Sequence, residues 1–327
     1  MSSGLVKLLD KAFIVGYLLP ALIGCWIATT LFGCPDAICK AGSSEGGNPF
    51  ASLTYVTLIV YVLAVLLMSW NYGIQRLYSG YVWPTKYWTA NGNRHTARRD
   101  ALLKRISTMD DQSADLLRWE LLNAYPPAES RIETTAFGNA VAAVSEYSQR
   151  TYEADAVVIW TRLLAVVPKE FQAVINDAKS IVDLWMNLSL IFGVMALVGF
   201  LKFIQISVAV SPFWRDGISL TDEPVFRLAA DLMLLALGYI CYRFAVSSIP
   251  DWGDAMKSAF DCYLPALATQ MGLSISYGKN SPTNWTSWKP FDAWVLYGVN
   301  RKPRQASNRR VRARVNSATI RTREDPP

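Results

Sequence analysis

The 327 residues are 52% hydrophobic and only 18% charged, with 12 Trp and 15 Tyr. The apolar residues pool into four long runs, which excludes a pair of ordinary soluble domains and points to a multi-pass membrane protein. The net charge of +6 says nothing about the body of the chain: residues 301–327 alone hold nine basic and two acidic residues, a net of +7, so the rest is −1. A single histidine, His95, and the lack of any CxxC pair nearly exclude a His-based metal centre or a Ser-His-Asp triad. No Walker loop, dinucleotide glycine motif, HExxH or GxSxG is present, so no cofactor and no metal is expected.

Span one is the uncharged run Ala12–Gly33. It is too long for an ordinary signal-peptide core and carries Pro20 mid-run and Phe32 at its end, so it reads as a retained membrane helix. Gly16, Pro20, Gly24 and Ala28 recur every four residues, a small-residue face that invites close helix packing, and Pro20 should kink the helix. Cys34 and Cys39 follow in the loop CPDAIC. If that loop lies outside the cell they can form a disulfide, the alternative being two free thiols. Cys25, Cys241 and Cys262 suit small apolar positions. Span two is Leu53–Ile74, also uncharged. Its Thr54, Thr57 and Tyr61, with Met68 and Asn71, recur at helical spacing; they form either a pore-lining face or, the favoured reading, a packing and interfacial face.

Residues 75–183 are too long for a structureless loop and read as a helical cytoplasmic domain inserted between spans two and three. Tyr78, Tyr81, Trp83, Tyr87 and Trp88 belong at headgroup level. NGNRHTARR reads as a turn-rich basic patch at the membrane surface. Leu102, Leu103, Ile106, Met109, Leu116, Leu117, Leu121 and Leu122 then predict one long amphipathic helix or a helical hairpin, stopped by Pro126-Pro127. A helix around Phe137, Val141 and Val144 follows, and another from Pro168 that runs into span three with no breaker. The densest chemistry lies between them: Glu146, Arg150, Tyr152, Glu153, Asp155, Trp160 and Arg162. Arginines, tyrosines and carboxylates so mixed can cradle an anionic ligand; more often they are a salt-bridged connector.

The segment FGNAVAAVSEYSQRTYEADAVVIWTRLLAVVPKEF, with the spans around it, resembles a family of uncharacterised bacterial multi-pass membrane proteins. Its members share a Gly-Asn pair, a Tyr- and Asp-bearing stretch and a Trp-x-Arg-Leu, here Gly138, Asn139, Tyr152, Asp155, Trp160, Arg162 and Leu163. Thr161 stands where that family often has proline. The resemblance covers most of the chain except the tail; it implies a bacterial membrane protein and brings no activity with it. The layout is also similar to that of bestrophin-like channels, in topology only.

Spans three and four cover residues 184–210 and 226–247. Each carries a charge, Lys202 and Asp231, at similar depth on the two arms of a hairpin. A lone charge mid-span costs about 2.5–3.5 kcal/mol on insertion scales, so a Lys202–Asp231 ion pair is expected, within the hairpin or between subunits. Its role is open between a functional site, a structural register pin, and a Lys202 that snorkels to the headgroups unpaired. Residues 248–300 read as a cytoplasmic helical, Trp-rich segment with a helix interrupted near Pro265, and 301–327 as a disordered basic tail.

Lysines and arginines mark the inside of a membrane protein. Lys7, Lys11, Arg76, Arg94, Arg98, Arg99, Arg243 and Lys257 lie on one side, against Lys40 and Arg215 on the other. Both termini are therefore expected in the cytoplasm, and the family resemblance implies a bacterial inner membrane. The domain order is a first transmembrane pair (1–74), the inserted domain (75–183), a second pair (184–247), the helical segment (248–300) and the tail. Expected partners are the lipid bilayer, anionic lipid at the tail and further copies of the chain, with no specific nucleic acid. Three functions compete: a non-enzymatic sensor, scaffold or effector acting through the inserted domain, ranked first; an oligomeric channel; and an enzyme built on the Glu146–Arg162 cluster.

Overall fold

The computed structural model describes residues 10–33, 49–82, 84–128, 131–210 and 223–272, together with 288 and 295. Among them every regular element is helical: α1 Lys11–Phe32, α2 Pro49–Ser79, α3 Thr85–Ser107, α4 Asp111–Ala124, α5 Ala136–Tyr152, α6 Ala156–Leu163, α7 Lys169–Val210 and α8 Glu223–Gln270. Four stretches are long and apolar enough to cross a membrane: Lys11–Phe32, Leu53–Ser79, Lys169–Ile204 and Leu228–Gln270. They coincide with the four apolar runs. The Cys34–Cys39 pair and the tail 301–327 lie outside the described residues.

The chain divides into two compact units, Met1–Val144 with Pro168–Ala259, and Ser145–Val167 with Phe260–Pro327. The first holds most of the membrane-length helix. Phe13, Tyr17 and Ala21 of α1 pack with Val60 and Ala64 of α2. A second core joins Ile74, Phe137, Ala140, Val144, Val182, Met186, Ala245 and Ile249. The small-residue face of α1 lies on α7: Gly16 sits against Ser180 and Asp183, and Gly24 against Ile191. A Cβ at Gly24 would stand 3.0 Å from Ile191 Cγ2, so the isoleucine side chain packs directly onto the glycine.

The stretch expected to be turn-rich, NGNRHTARR, is helical instead, within α3. Gly92 and its neighbours each lower helix propensity by about 1 kcal/mol or less, which the flanking turns outweigh. The turn falls at 108–110, so α3 and α4 form the hairpin alternative rather than one long helix. Its apolar face remains open: Leu116 is 79% exposed and Trp119 57%. The predicted break at Pro265 is also absent, because α8 runs unbroken through Pro250 and Pro265. An interior proline costs about 3 kcal/mol. Leu264, Leu267 and Ala268 around it are fully buried, and burying each leucine returns about 1.5–3 kcal/mol, which offsets the break. Helix α7 is continuous from Lys169 to Val210, as the lack of a breaker implied, and its 42 residues span roughly 60 Å, twice the hydrocarbon thickness.

After α2 the chain turns at Gly80, whose φ of +93° belongs to the left-handed region that glycine enters without cost. Residues 133–139 clasp this corner. Glu133 N donates to Asn139 Oδ1, and Asn139 Nδ2 donates to the carbonyls of Glu133 and Thr135, each at 2.8 Å. Thr135 Oγ1 donates to Tyr78 O at 2.7 Å. Any Cβ on Gly138 would lie 2.7 Å from Ser79 O, so this position takes glycine because backbone passes over it. The Gly-Asn pair singled out in the sequence is thus the knot that ties α5 to the end of α2.

Candidate functional site at one end of the bundle

Pro20 has no N–H to give to the carbonyl four residues back, Gly16 O. The turn before it, Ile14–Leu18, is π-helical, a widening often found at functional sites. Asn187 Nδ2, on α7, donates to Gly16 O at 2.8 Å and takes the place of the missing proton. One turn earlier on the same face of α7 is Asp183, 3% exposed. Its Oδ2 accepts three hydrogen bonds: Tyr17 Oη at 2.8 Å, Lys179 Nζ at 2.6 Å and Asn71 Nδ2 at 3.1 Å. Asn71 Nδ2 also donates to Tyr17 Oη. Helices α1, α2 and α7 are therefore joined at one carboxylate oxygen. Lys11, exposed, and Asp177, partly exposed, are 2.6 Å apart and add a weaker pair nearby, of the class worth about 0–1 kcal/mol.

The network leaves a specific remainder. Asn71 Oδ1, Asp183 Oδ1 and Asn187 Oδ1 are buried and accept nothing among the described residues. Neither asparagine can flip to relieve this: Asn187 Nδ2 faces a carbonyl and Asn71 Nδ2 faces a carboxylate, and both partners are acceptors.

This site was not singled out in the sequence, although Asn71 had been placed on the polar face of span two. The signal was Ser180, Asp183 and Asn187 at helical spacing, a polar stripe entering the apolar run. Lys179 and Asp183, four residues apart, look by themselves like any solvated helix pair. Tyr17 sits in an uncharged run where only the fold reveals its partner.

Lys202 and Asp231 line one pocket of about 110 Å³ with Leu31, Phe32, Gly199 and Ala230, room for several water molecules. Within it Lys202 Nζ stands 4.6 Å from the centre of the Phe32 ring. The Asp231 carboxylate presses on Gly199, and its Oδ2 is buried without a hydrogen-bond partner among the described residues. The two charges thus share a pocket wall, but the expected ion pair between them is not formed within this chain: the lysine rests on the Phe32 ring instead. On α2, Thr57 Oγ1 donates to Leu53 O of its own helix at 2.8 Å, Thr54 is exposed, and Tyr61 packs edge-on to Phe13 in the core.

In the second unit, Tyr152 and Tyr147 both donate to Asp261 Oδ1, at 2.5 and 2.8 Å. Burial, and then Asp261, raises both phenols above their ordinary range. Asp155 caps α6 by accepting from Val157 N at 2.9 Å. Arg162 donates to Val158 O one turn back, Trp160 packs on Phe260, and Glu146 is buried on α5. Arg150 is exposed at the end of α5, and Glu153 turns the chain between α5 and α6 with φ +53°. Asp155 and Arg162 thus cap and brace α6, and Tyr152 and Trp160 meet Asp261 and Phe260. No group of three His, Cys, Asp or Glu among the described residues is placed to hold a metal ion.

Compared with family models, with curated proteins and with solved structures, the chain matches none.

Proposed function

We propose that the protein is a multi-pass protein of a bacterial inner membrane, with both termini in the cytoplasm, and that it acts as a non-enzymatic sensor or effector. The observation that supports this best is the junction at Asp183. A buried charge there binds α1, α2 and α7 together, and α7 continues without a break on both sides of it. Ionisable groups within membrane helices are costly and are kept mainly where they do something. A change at the junction shifts α7 relative to α1 and α2, and a continuous helix carries that shift to the segment between spans two and three. The open apolar face of the α3–α4 hairpin, with Leu116 and Trp119, is then the surface that meets a partner or another copy of the chain. The basic tail adds attraction to anionic lipid, about 1 kcal/mol per basic residue near the surface.

The test is maleimide labelling of Leu116→Cys in membrane vesicles, with and without Tyr17→Phe. The proposal expects the labelling rate at 116 to change several-fold when the junction is loosened. An unchanged rate in a folded Tyr17→Phe protein would remove the support for coupling.

A further inference from the structure

Among the described residues, three buried acceptor oxygens and no buried unpaired donor remain at the Asp183 junction. Each unmet acceptor costs about 1–3 kcal/mol, and three together rival the whole stability of a domain, so donors or a cation must meet them. A single water has two protons for three acceptors. Two of the oxygens come from side chains that are fully or almost fully buried, Asn187 at 0% and Asp183 at 3%. They lie one helical turn apart on α7, and Asn71 reaches the same carboxylate from α2.

We propose that this junction binds an alkali-metal cation, with Asp183 Oδ1, Asn71 Oδ1 and Asn187 Oδ1 as ligands. The donor set decides the class of ion. All three ligands are hard oxygens, which suit alkali and alkaline-earth ions and not soft metals. Only one carries charge: once Lys179, now 2.6 Å from Asp183, withdraws, that charge balances a monovalent ion and would leave a divalent ion under-neutralised. Lys179 is the natural competitor: its side chain is 30% exposed, so it can withdraw to water as the cation enters and closes the junction again when the cation leaves. The cation and the lysine ammonium then define two states of the α1–α2–α7 contact. In biological meaning this rests on the sensor reading, since it names what is sensed; as a binding site it stands without it.

The experiment is thermal unfolding of the full-length protein in detergent, followed by intrinsic tryptophan fluorescence. LiCl, NaCl and KCl are titrated against choline chloride at constant ionic strength. At least one of the three cations is expected to raise the midpoint saturably, with the concentration dependence of single-site linkage, and choline not at all. Lys179→Gln, which removes the competitor, is expected to move half-saturation at least tenfold lower. Asp183→Asn is expected to abolish the effect. Equal midpoints in all four salts, a cation effect that survives in Asp183→Asn, or a half-saturation unmoved in Lys179→Gln would each overturn the proposal. Saturable stabilisation with no change in Leu116→Cys labelling would leave the site standing and sink only the coupling.

Discussion

Asn139→Ala isolates the knot between α5 and α2. The asparagine is fully buried and makes three hydrogen bonds to two backbone positions, Glu133 and Thr135. Alanine removes all three. Thr135 O keeps a partner, because Asn139 N also donates to it, at 3.0 Å. Glu133 N and Glu133 O are the groups left stranded. Each stranded backbone group costs about 1–3 kcal/mol, and Glu133 is only half-buried, so water relieves part of it. The net expectation is about 3 kcal/mol, or a fall in unfolding midpoint of roughly 6–12 °C for a unit of this size. The natural comparison is Asn123→Ala: Asn123 is also buried but accepts one bond, from Lys257 Nζ at 3.1 Å, so about 1 kcal/mol is expected. Thermal unfolding of both variants in one detergent checks the ordering. If Asn139→Ala costs no more than Asn123→Ala, the knot is not what holds this corner.

Gly138→Ala should be nearly as damaging as Asn139→Ala, since its Cβ meets the Ser79 carbonyl, which cannot move without moving α2; expression level and unfolding midpoint report it. Gly199→Ala should cost much less, because the atoms in its way belong to the Asp231 side chain, which can rotate towards Lys202; loss of under about 1.5 kcal/mol by the same assay is expected. His95 is held below its ordinary range by burial and by Arg98. The folded state then binds protons less readily than the unfolded one, so its contribution is present above the unfolded histidine range and lost as pH falls through it. His95→Gln should flatten the acid side of the stability profile between about pH 7 and 5, measured by unfolding midpoint against pH.

The four membrane-length helices were legible because a span needs about 20 apolar residues, and no other arrangement of this composition meets that demand. Helix type in the segment between spans two and three was legible for the same kind of reason, from the period of its leucines. Local breakers misled where other terms outweighed them: the flanking helical turns at Gly92, and burial at Pro265. The Asp183 junction was not legible as a site. Its members come from three runs distant in sequence, and each has an ordinary local explanation: Tyr17 as an apolar-run aromatic, Asn71 as a polar face, Lys179 and Asp183 as a surface pair. Pro20 was read as a kink; that its missing N–H frees Gly16 O for Asn187 depends on α7 lying alongside. The Gly-Asn pair stood out in the sequence, yet its role needed the position of Ser79. Conversely, the Glu146–Arg162 cluster was conspicuous by composition, while Asp261, the group that receives Tyr147 and Tyr152, lies more than a hundred residues away.

The Asp183 junction, if it acts as proposed, governs structure beyond its own contacts. Hydrogen–deuterium exchange of the full-length protein in nanodiscs, wild type against Asp183→Asn and Tyr17→Phe, measures this directly. Exchange should be faster in both variants along Lys169–Asp183 of α7, around Ile14–Leu18, and in the α3–α4 hairpin, with the amides of α6 unchanged. Exchange that rises only within a turn of the substituted residue would make the junction a local packing device and contradict the central claim.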